Sequence, residues 1–412
     1  MTRLATLITL ASLLAAVPET YAQRHRNGTG STGGITVGYN GTDGLHSLAV
    51  KAGLLYFGTA SDTRDFTDEP YMGVVNNTNE FGMIVPENSM KWESTEKDPG
   101  RFLFGNADRV RALTKVNGQM LRCHALTWHS QLPAFVKTTT WTRDTLTAAI
   151  QSHISNVVGH FAGDCYAWDV VNEAVNENGT FRNSPFYQTL GTDFLGISFR
   201  AAATADPNAK LYYNDFNIET PGAKSTAVMG IVRLLKGQGV RIDGVGFQGH
   251  LTVGATPTRA KLAAQLQRFA DLGVEVSFTE LDIKHRSLPA SSSAAQTQAR
   301  DYVAVVGSCL DVTACVGVMV WQPTDKYSWI PQTFPGTGGA CLFDENMKPK
   351  PAYTSVSNLL ASAATAAPSN TVPSPNATTS QAPVQAGAGR ESVSVAGVVL
   401  ALTSLALGMF ML

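Results

Sequence analysis

Two glutamates close apolar runs in this chain. Glu173 ends Tyr166-Ala167-Trp168-Asp169-Val170-Val171-Asn172-Glu173, and Glu280 ends Val274-Glu275-Val276-Ser277-Phe278-Thr279-Glu280. Both runs are rich in aromatic and β-branched residues and read as buried strands. A carboxylate at the exit of a buried parallel strand is where barrel enzymes place reactive groups. A pair of them can act as general acid and base or as nucleophile, one protonated and the other ionised. Strict alternation would send Asn172 and Glu173 to opposite faces. For both to serve one site, the strand has to end or bulge there. On the second run Val274, Val276, Phe278, Glu280 and Asp282 share a face by parity. Glu280 is therefore expected to point the same way as the apolar residues that fill the interior, where a carboxylate is costly unless paired or used.

Other polar residues fall at comparable places. His124 and Trp128 share a face of the run Met120–Trp128, and Gln248 and His250 share a face at the end of another. Glu87, Asn88 and Lys91 follow the run Gly82–Val85, and Trp321 and Trp329 follow the last run. Two carboxylates with amides, imidazoles, an ammonium and indoles describe a polyol-binding cleft. Indole faces stack on sugar rings, while amides and Lys bind hydroxyls. No Cys has zinc-ligand spacing with a His partner, and neither a metal nor a cofactor is expected.

The elements that position these groups alternate. Strands are expected at 54–58, 82–85, 120–128, 166–173, 210–215, 245–248, 274–280 and 316–321. Between them lie helical patterns such as Leu146, Ile150, Ile154, Val157, Val158 and Phe161. A second helix carries Leu262, Leu266, Phe269 and Ala270, with Thr256 as N-cap, Pro257 at its first position and Gly273 past its end. Eight strands alternating with helices over residues 46–360 predict an α/β fold, a (β/α)8 TIM barrel forming a single catalytic domain. The alternative is an open doubly wound sheet, but no Gly-rich phosphate loop follows the first strand.

Net charge is −1 over 412 residues, without a basic stripe, which argues against nucleic acid as a partner. Met1–Ala22 has Arg3, an apolar run and a small-residue exit, the pattern of a signal peptide. Residues 23–45 are a Gly-rich leader, and 361–390 a Ser/Thr/Pro/Ala-rich stalk. Residues 391–412 are almost wholly apolar. With small residues at Ala386, Gly387 and Ala388, they predict a GPI-type lipid anchor near Gly387; a plain C-terminal span is the alternative. Sequons at Asn27, Asn40, Asn76, Asn178 and Asn376 are candidate glycosylation sites. Cys309 and Cys315 flank a short turn and are expected to pair. The pairing of Cys123, Cys165 and Cys341 stays open.

Several segments together resemble the signatures of glycoside hydrolase family 10 endo-β-1,4-xylanases. They are Glu87-Asn88-Ser89-Met90-Lys91-Trp92, His124 to Pro133, Trp168 to Glu173, Tyr213-Asn214-Asp215-Phe216-Asn217, Gly246 to His250, Thr279 to Asp282 and Asp325 to Trp329. The likeness runs in order over about 46–360. It implies a retaining hydrolase of xylan, with Glu280 as nucleophile and Glu173 as acid/base. It implies that Asn172 binds the sugar 2-hydroxyl, and that His250 and Asp282 hold the nucleophile. His124, Trp128, Gln248, Trp321 and Trp329 would contact the sugar beside the cut, and Glu87, Asn88 and Lys91 one sugar further along. Asp215 and Asn217 are read as structural. Retention needs carboxyl groups about 5–5.5 Å apart. At that spacing two negative charges repel by roughly 3 kcal/mol at an effective dielectric near 20, so one proton stays on Glu173 while Glu280 is ionised. Two departures stand out: Gln322-Pro323 follows Trp321 where a small residue is expected, and Cys123 stands where Gly is common. A secreted, anchored monomer acting on xylan is the expectation. The alternatives are a β-glycanase or transglycosylase on another wall polysaccharide, and a non-catalytic glycan-binding protein.

Overall fold

The computed structural model describes residues 43–366. The expected signal peptide, most of the leader and stalk, the anchor with Gly387, and Asn27, Asn40 and Asn376 lie outside the described residues. Eight strands form the expected barrel. They are β1 (Tyr56–Ala60), β2 (Met83–Val85), β3 (Met120–Trp128), β4 (Cys165–Asn172), β5 (Lys210–Asp215), β6 (Gly244–Phe247), β7 (Glu275–Lys284) and β8 (Cys315–Val320). Neighbours pair in parallel, and β1 pairs with both β2 and β8, which closes the sheet and excludes the open alternative. A short strand, His250–Thr252, adds beside the end of β7, with His250 opposite Asp282.

The helices cover the outside. Arg143–His160 buries Leu146, Ile150, Ile154, Val157 and Val158, as their spacing predicts, and Thr142 and Thr145 cap its start reciprocally. The helix expected from Pro257 begins later, at Arg259. Its N-cap is Thr258, not Thr256, because the free amide of Lys261 lies three residues after Thr258 and donates to its Oγ1 at 3.4 Å. The last helix, Pro351–Ala366, runs past residue 360, where the stalk was expected. Val356 and Leu360 bury one face of it against the core, so Ala- and Ser-rich sequence here is helix rather than linker.

The barrel interior is polar as well as apolar. Tyr166 and Tyr212 donate to Glu275 Oε1 at 2.9 and 2.5 Å, and Lys210 approaches its Oε2 at 3.1 Å. Arg122 is fully buried, pairs with Asp169 and lies against the ring of Tyr212. Such large side chains fit because opposed positions lack a Cβ. A Cβ on Gly244 would strike the Tyr212 ring, and one on Gly246 would strike Asn214 Oδ1.

Parity on β7 differs from expectation. Phe278 does not fill the barrel; it packs against Phe247, which meets Phe269 of the outer helix layer. Phe278 pairs with Val318 and Leu281 with Val320, so β7 carries one residue more than β8 over this stretch. That bulge lets the consecutive Thr279 and Glu280 both reach Asn214, inside the barrel.

Cys309 and Cys315 form the expected disulfide. Cys123 and Cys165 form another, tying β3 to β4, and Cys341 is a buried free thiol. The bridge accounts for Cys where Gly was expected. With a sequence separation of 42 between its cysteines against 6 for the other, chain entropy assigns it about 4 kcal/mol against about 2.

Candidate active site

The two glutamates meet at the mouth where the strands end. β4 stops at Asn172, and Glu173 takes a left-handed conformation, φ 52°. A non-glycine residue pays for that conformation, and such sites cluster where function requires them. Here it turns Glu173 to the same side as Asn172, as the sequence required. Gln248 Nε2 donates to Glu173 Oε1 at 3.0 Å and to Asn172 Oδ1 at 3.4 Å. Asn214 Nδ2 donates to Asn172 Oδ1 at 3.0 Å and to Glu280 Oε1 at 2.8 Å. Asn172 Nδ2 also donates to Glu173 Oε1 at 3.4 Å, so the shortest path from one carboxyl to the other crosses two amide side chains, Asn172 and Asn214, with Gln248 bracing the first. Asn214 itself was not singled out in the sequence. It is the last residue but one of β5, on the same face as Tyr212, and that parity was the available signal.

Glu280 is buried, yet charged partners surround it. Burial works against its ionisation, but His250 and His124 outweigh this and hold its carboxyl below the usual range. His250 Nε2 lies 3.2 Å from Glu280 Oε2. Its Nδ1 lies 3.0 Å from Asp282 Oδ2, off the axis of a good hydrogen bond, so that contact acts through charge. Burial opposes an imidazolium, but Asp282 and then Glu280 push the His250 pKa up to about 10. In the unfolded chain His titrates near 6.5. The charged ring therefore adds its full stability below pH 6.5, and this is lost as pH rises through about 10. Denaturant titrations of wild type and His250→Asn are expected to converge across that window. A constant gap from pH 6 to 10 would mean that the ring is not held as a cation.

The expected indoles and imidazoles are close by. His124 Nδ1 lies 3.0 Å from Asp169 Oδ2, and its ring meets Trp321 edge-on at 5.5 Å. Burial disfavours charge on Asp169, but Arg122 and His124 keep its pKa low. Trp329 Nε1 donates to Asp282 Oδ2 at 2.8 Å. Trp128 has Lys91 Nζ 4.8 Å from its ring centre, and its buried Nε1 has no hydrogen-bond partner among the described residues. Lys91 also donates to Asn88 Oδ1 and Gln131 Oε1, at 3.0 and 2.6 Å. Glu87 Oε2 accepts from Arg64 at 2.8 Å, while Oε1 is buried without a well-aligned partner among the described residues, the Gln322 side chain lying beside the carboxyl. Burial pushes Glu87 up to about 7 despite Arg64. Arg64, Asp65 and Gln131 belong to this corner and were not assigned from sequence. Asp215 is buried on Lys224 at 3.0 Å and Tyr213 at 2.7 Å, whereas Asn217 is exposed and donates to Glu177.

Among the described residues no cluster of His, Cys, Asp and Glu could hold a metal, and no helix is long and apolar enough to cross a membrane. Asn76 and Asn178 are exposed. Asn178 sits at the tip of the hairpin that follows Glu173, where Val175 bridges Phe181 and Thr180 Oγ1 donates to Asn178 Oδ1 at 2.7 Å.

A closed parallel barrel whose mouth sets two carboxyl groups among amides and indoles defines a barrel glycosidase. Comparison with known proteins narrows this. The family model described as glycosyl hydrolase family 10 matches residues 44–359, and the chain belongs to that family. It is 81% identical over 412 residues, 100% of both chains, to endo-1,4-beta-xylanase 5 of Pyricularia oryzae. It is 54% identical to endo-1,4-beta-xylanase 1 of Humicola insolens over 77% of this chain and 74% of that one. Among solved structures, endo-1,4-beta-xylanase XylE of Penicillium canescens superposes with a TM-score of 0.75 at 41% identity, over 77% of this chain and 98% of that one.

Proposed function

We infer that the chain is an endo-1,4-β-xylanase that hydrolyses internal β-1,4-xylosidic linkages of xylan with retention of configuration. The observation that carries the mechanism is the chain of hydrogen bonds Glu173–Gln248–Asn172–Asn214–Glu280, which turns both carboxyl groups to one space. Glu280 attacks the anomeric carbon as the carboxylate, while Glu173 gives its proton to the departing oxygen. The glycosyl ester removes the charge on Glu280. Glu173, now a carboxylate, takes a proton from water, whose oxygen attacks the same carbon and frees Glu280. His250 and Asn214 hold the Glu280 carboxylate, and Asn172 binds the 2-hydroxyl. Trp321, Trp329, Trp128, His124 and Gln248 hold the reacting sugar, and Glu87, Asn88 and Lys91 the next one.

The experiment is a comparison of reducing-sugar release from xylan, cellulose and mannan, with the first anomer formed read by NMR. Xylan is expected to be cleaved fastest, to the β-anomer; faster cleavage of either other polymer, or the α-anomer, overturns the reading. The disulfides suit an exported chain, and we infer secretion with a C-terminal lipid anchor and glycans at Asn76 and Asn178. Phospholipase treatment of intact cells checks the anchor: activity found free in the medium before treatment contradicts it.

A further inference from the structure

Gln322 is the residue that stands where a small one is expected. It lies two residues past the end of β8, just after Trp321, is fully buried, and has φ 83°, a conformation that glycine takes without strain. A glutamine held there pays a backbone cost, and its amide shows what it gains. Oε1 accepts from Tyr71 OH at 3.0 Å, and Nε2 points to Asp65 Oδ2 at 3.4 Å. Tyr71 OH also lies 2.8 Å from Ser61 Oγ. Asp65 and Glu87 share the guanidinium of Arg64, at 3.2 and 2.8 Å. The neighbouring Asp62 accepts from the backbone amides of Asn88 and Ser89 at 2.8 and 2.9 Å, so the Glu87–Asn88 loop is fastened to the same cluster.

We propose that Gln322 is a positioning residue for the sugar-binding corner formed by Glu87, Arg64 and Asn88. Through Tyr71 and Asp65, and through its own amide beside the Glu87 carboxyl, it fixes where Arg64 holds Glu87, and so where Glu87 Oε1, which makes no well-aligned hydrogen bond among the described residues, meets a sugar hydroxyl. The corner lies on β1, β2 and β8, across the ring from β4 and β5. The hairpin after Glu173 lies on the leaving-group side, because Glu173 protonates the departing oxygen. The Glu87 corner therefore grips the sugar one step from the cut on the side that stays bound to Glu280. This inference rests on the proposed roles of Glu173, Glu280 and Glu87.

The test uses Gln322→Gly, which suits the backbone while deleting the amide, with aryl β-xylobioside and aryl β-xyloside as substrates. The disaccharide reaches the corner and the monosaccharide does not. KM for the xylobioside is expected to rise about fivefold, the size of one ordinary hydrogen bond, with kcat and both xyloside constants within about twofold of wild type. Tyr71→Phe should shift the same KM in the same direction by less. Glu87→Ala serves as the control and should raise it by about tenfold or more. If Glu87→Ala does so while Gln322→Gly changes nothing, or weakens both substrates equally, the positioning role is wrong. If Glu87→Ala leaves the xylobioside constants intact, the assignment of the corner fails instead.

Discussion

Glu280→Ala is expected to lower reducing-sugar release from xylan by roughly 10⁴-fold or more, with the far-ultraviolet circular dichroism of wild type. The size follows from what is removed. The attacking carboxylate itself is gone, and Asn214 and His250 would hold an empty space in its place. A small anion such as azide can enter it and attack an activated aryl β-xylobioside from the nucleophile's own face, giving the α-azide. Wild-type rates in the variant would remove Glu280 from the mechanism. A β-azide would reverse the faces assigned to the two glutamates.

Glu173→Ala is expected to act unevenly, and the unevenness identifies the role. Xylan has a poor leaving group that needs a proton, so its cleavage should fall by roughly 10³-fold. An aryl xylobioside with a strongly acidic phenol needs none. Its first step should persist, while hydrolysis of the glycosyl ester stalls without a base. Stopped-flow absorbance should then show a burst of phenol equal to the enzyme concentration, followed by a slow steady state. Azide should restore turnover and give the β-azide. Equal losses on both substrates, without a burst, would mean that Glu173 does not serve both steps.

Much of this arrangement was legible because strand exits announce themselves. Buried runs ending in Glu173, Trp128 and Trp321 marked the barrel mouth, and the structure gathers those residues there. The parity rule failed on β7 because a bulge is a property of two strands in register. The extra residue between Phe278 and Leu281 exists only relative to β8. The Cys123–Cys165 bridge was unreadable for a similar reason: the two cysteines meet because β3 and β4 lie side by side. Asn214 looked like one amide among several, and its place between the two glutamates depends on three strands at once. The cap at Thr258 rather than Thr256 turned on which side of Pro257 the first helical turn closes.

The bare backbone at Gly246 carries a further consequence. A single methyl group there would collide with Asn214, the amide that restrains Asn172 and Glu280 together. Relatives of this chain could therefore fall silent with every acidic and aromatic side chain of the cleft unchanged. When a genome supplies such a sequence, the presence of both glutamates does not by itself certify a working enzyme; the position facing Asn214 has to be inspected as well.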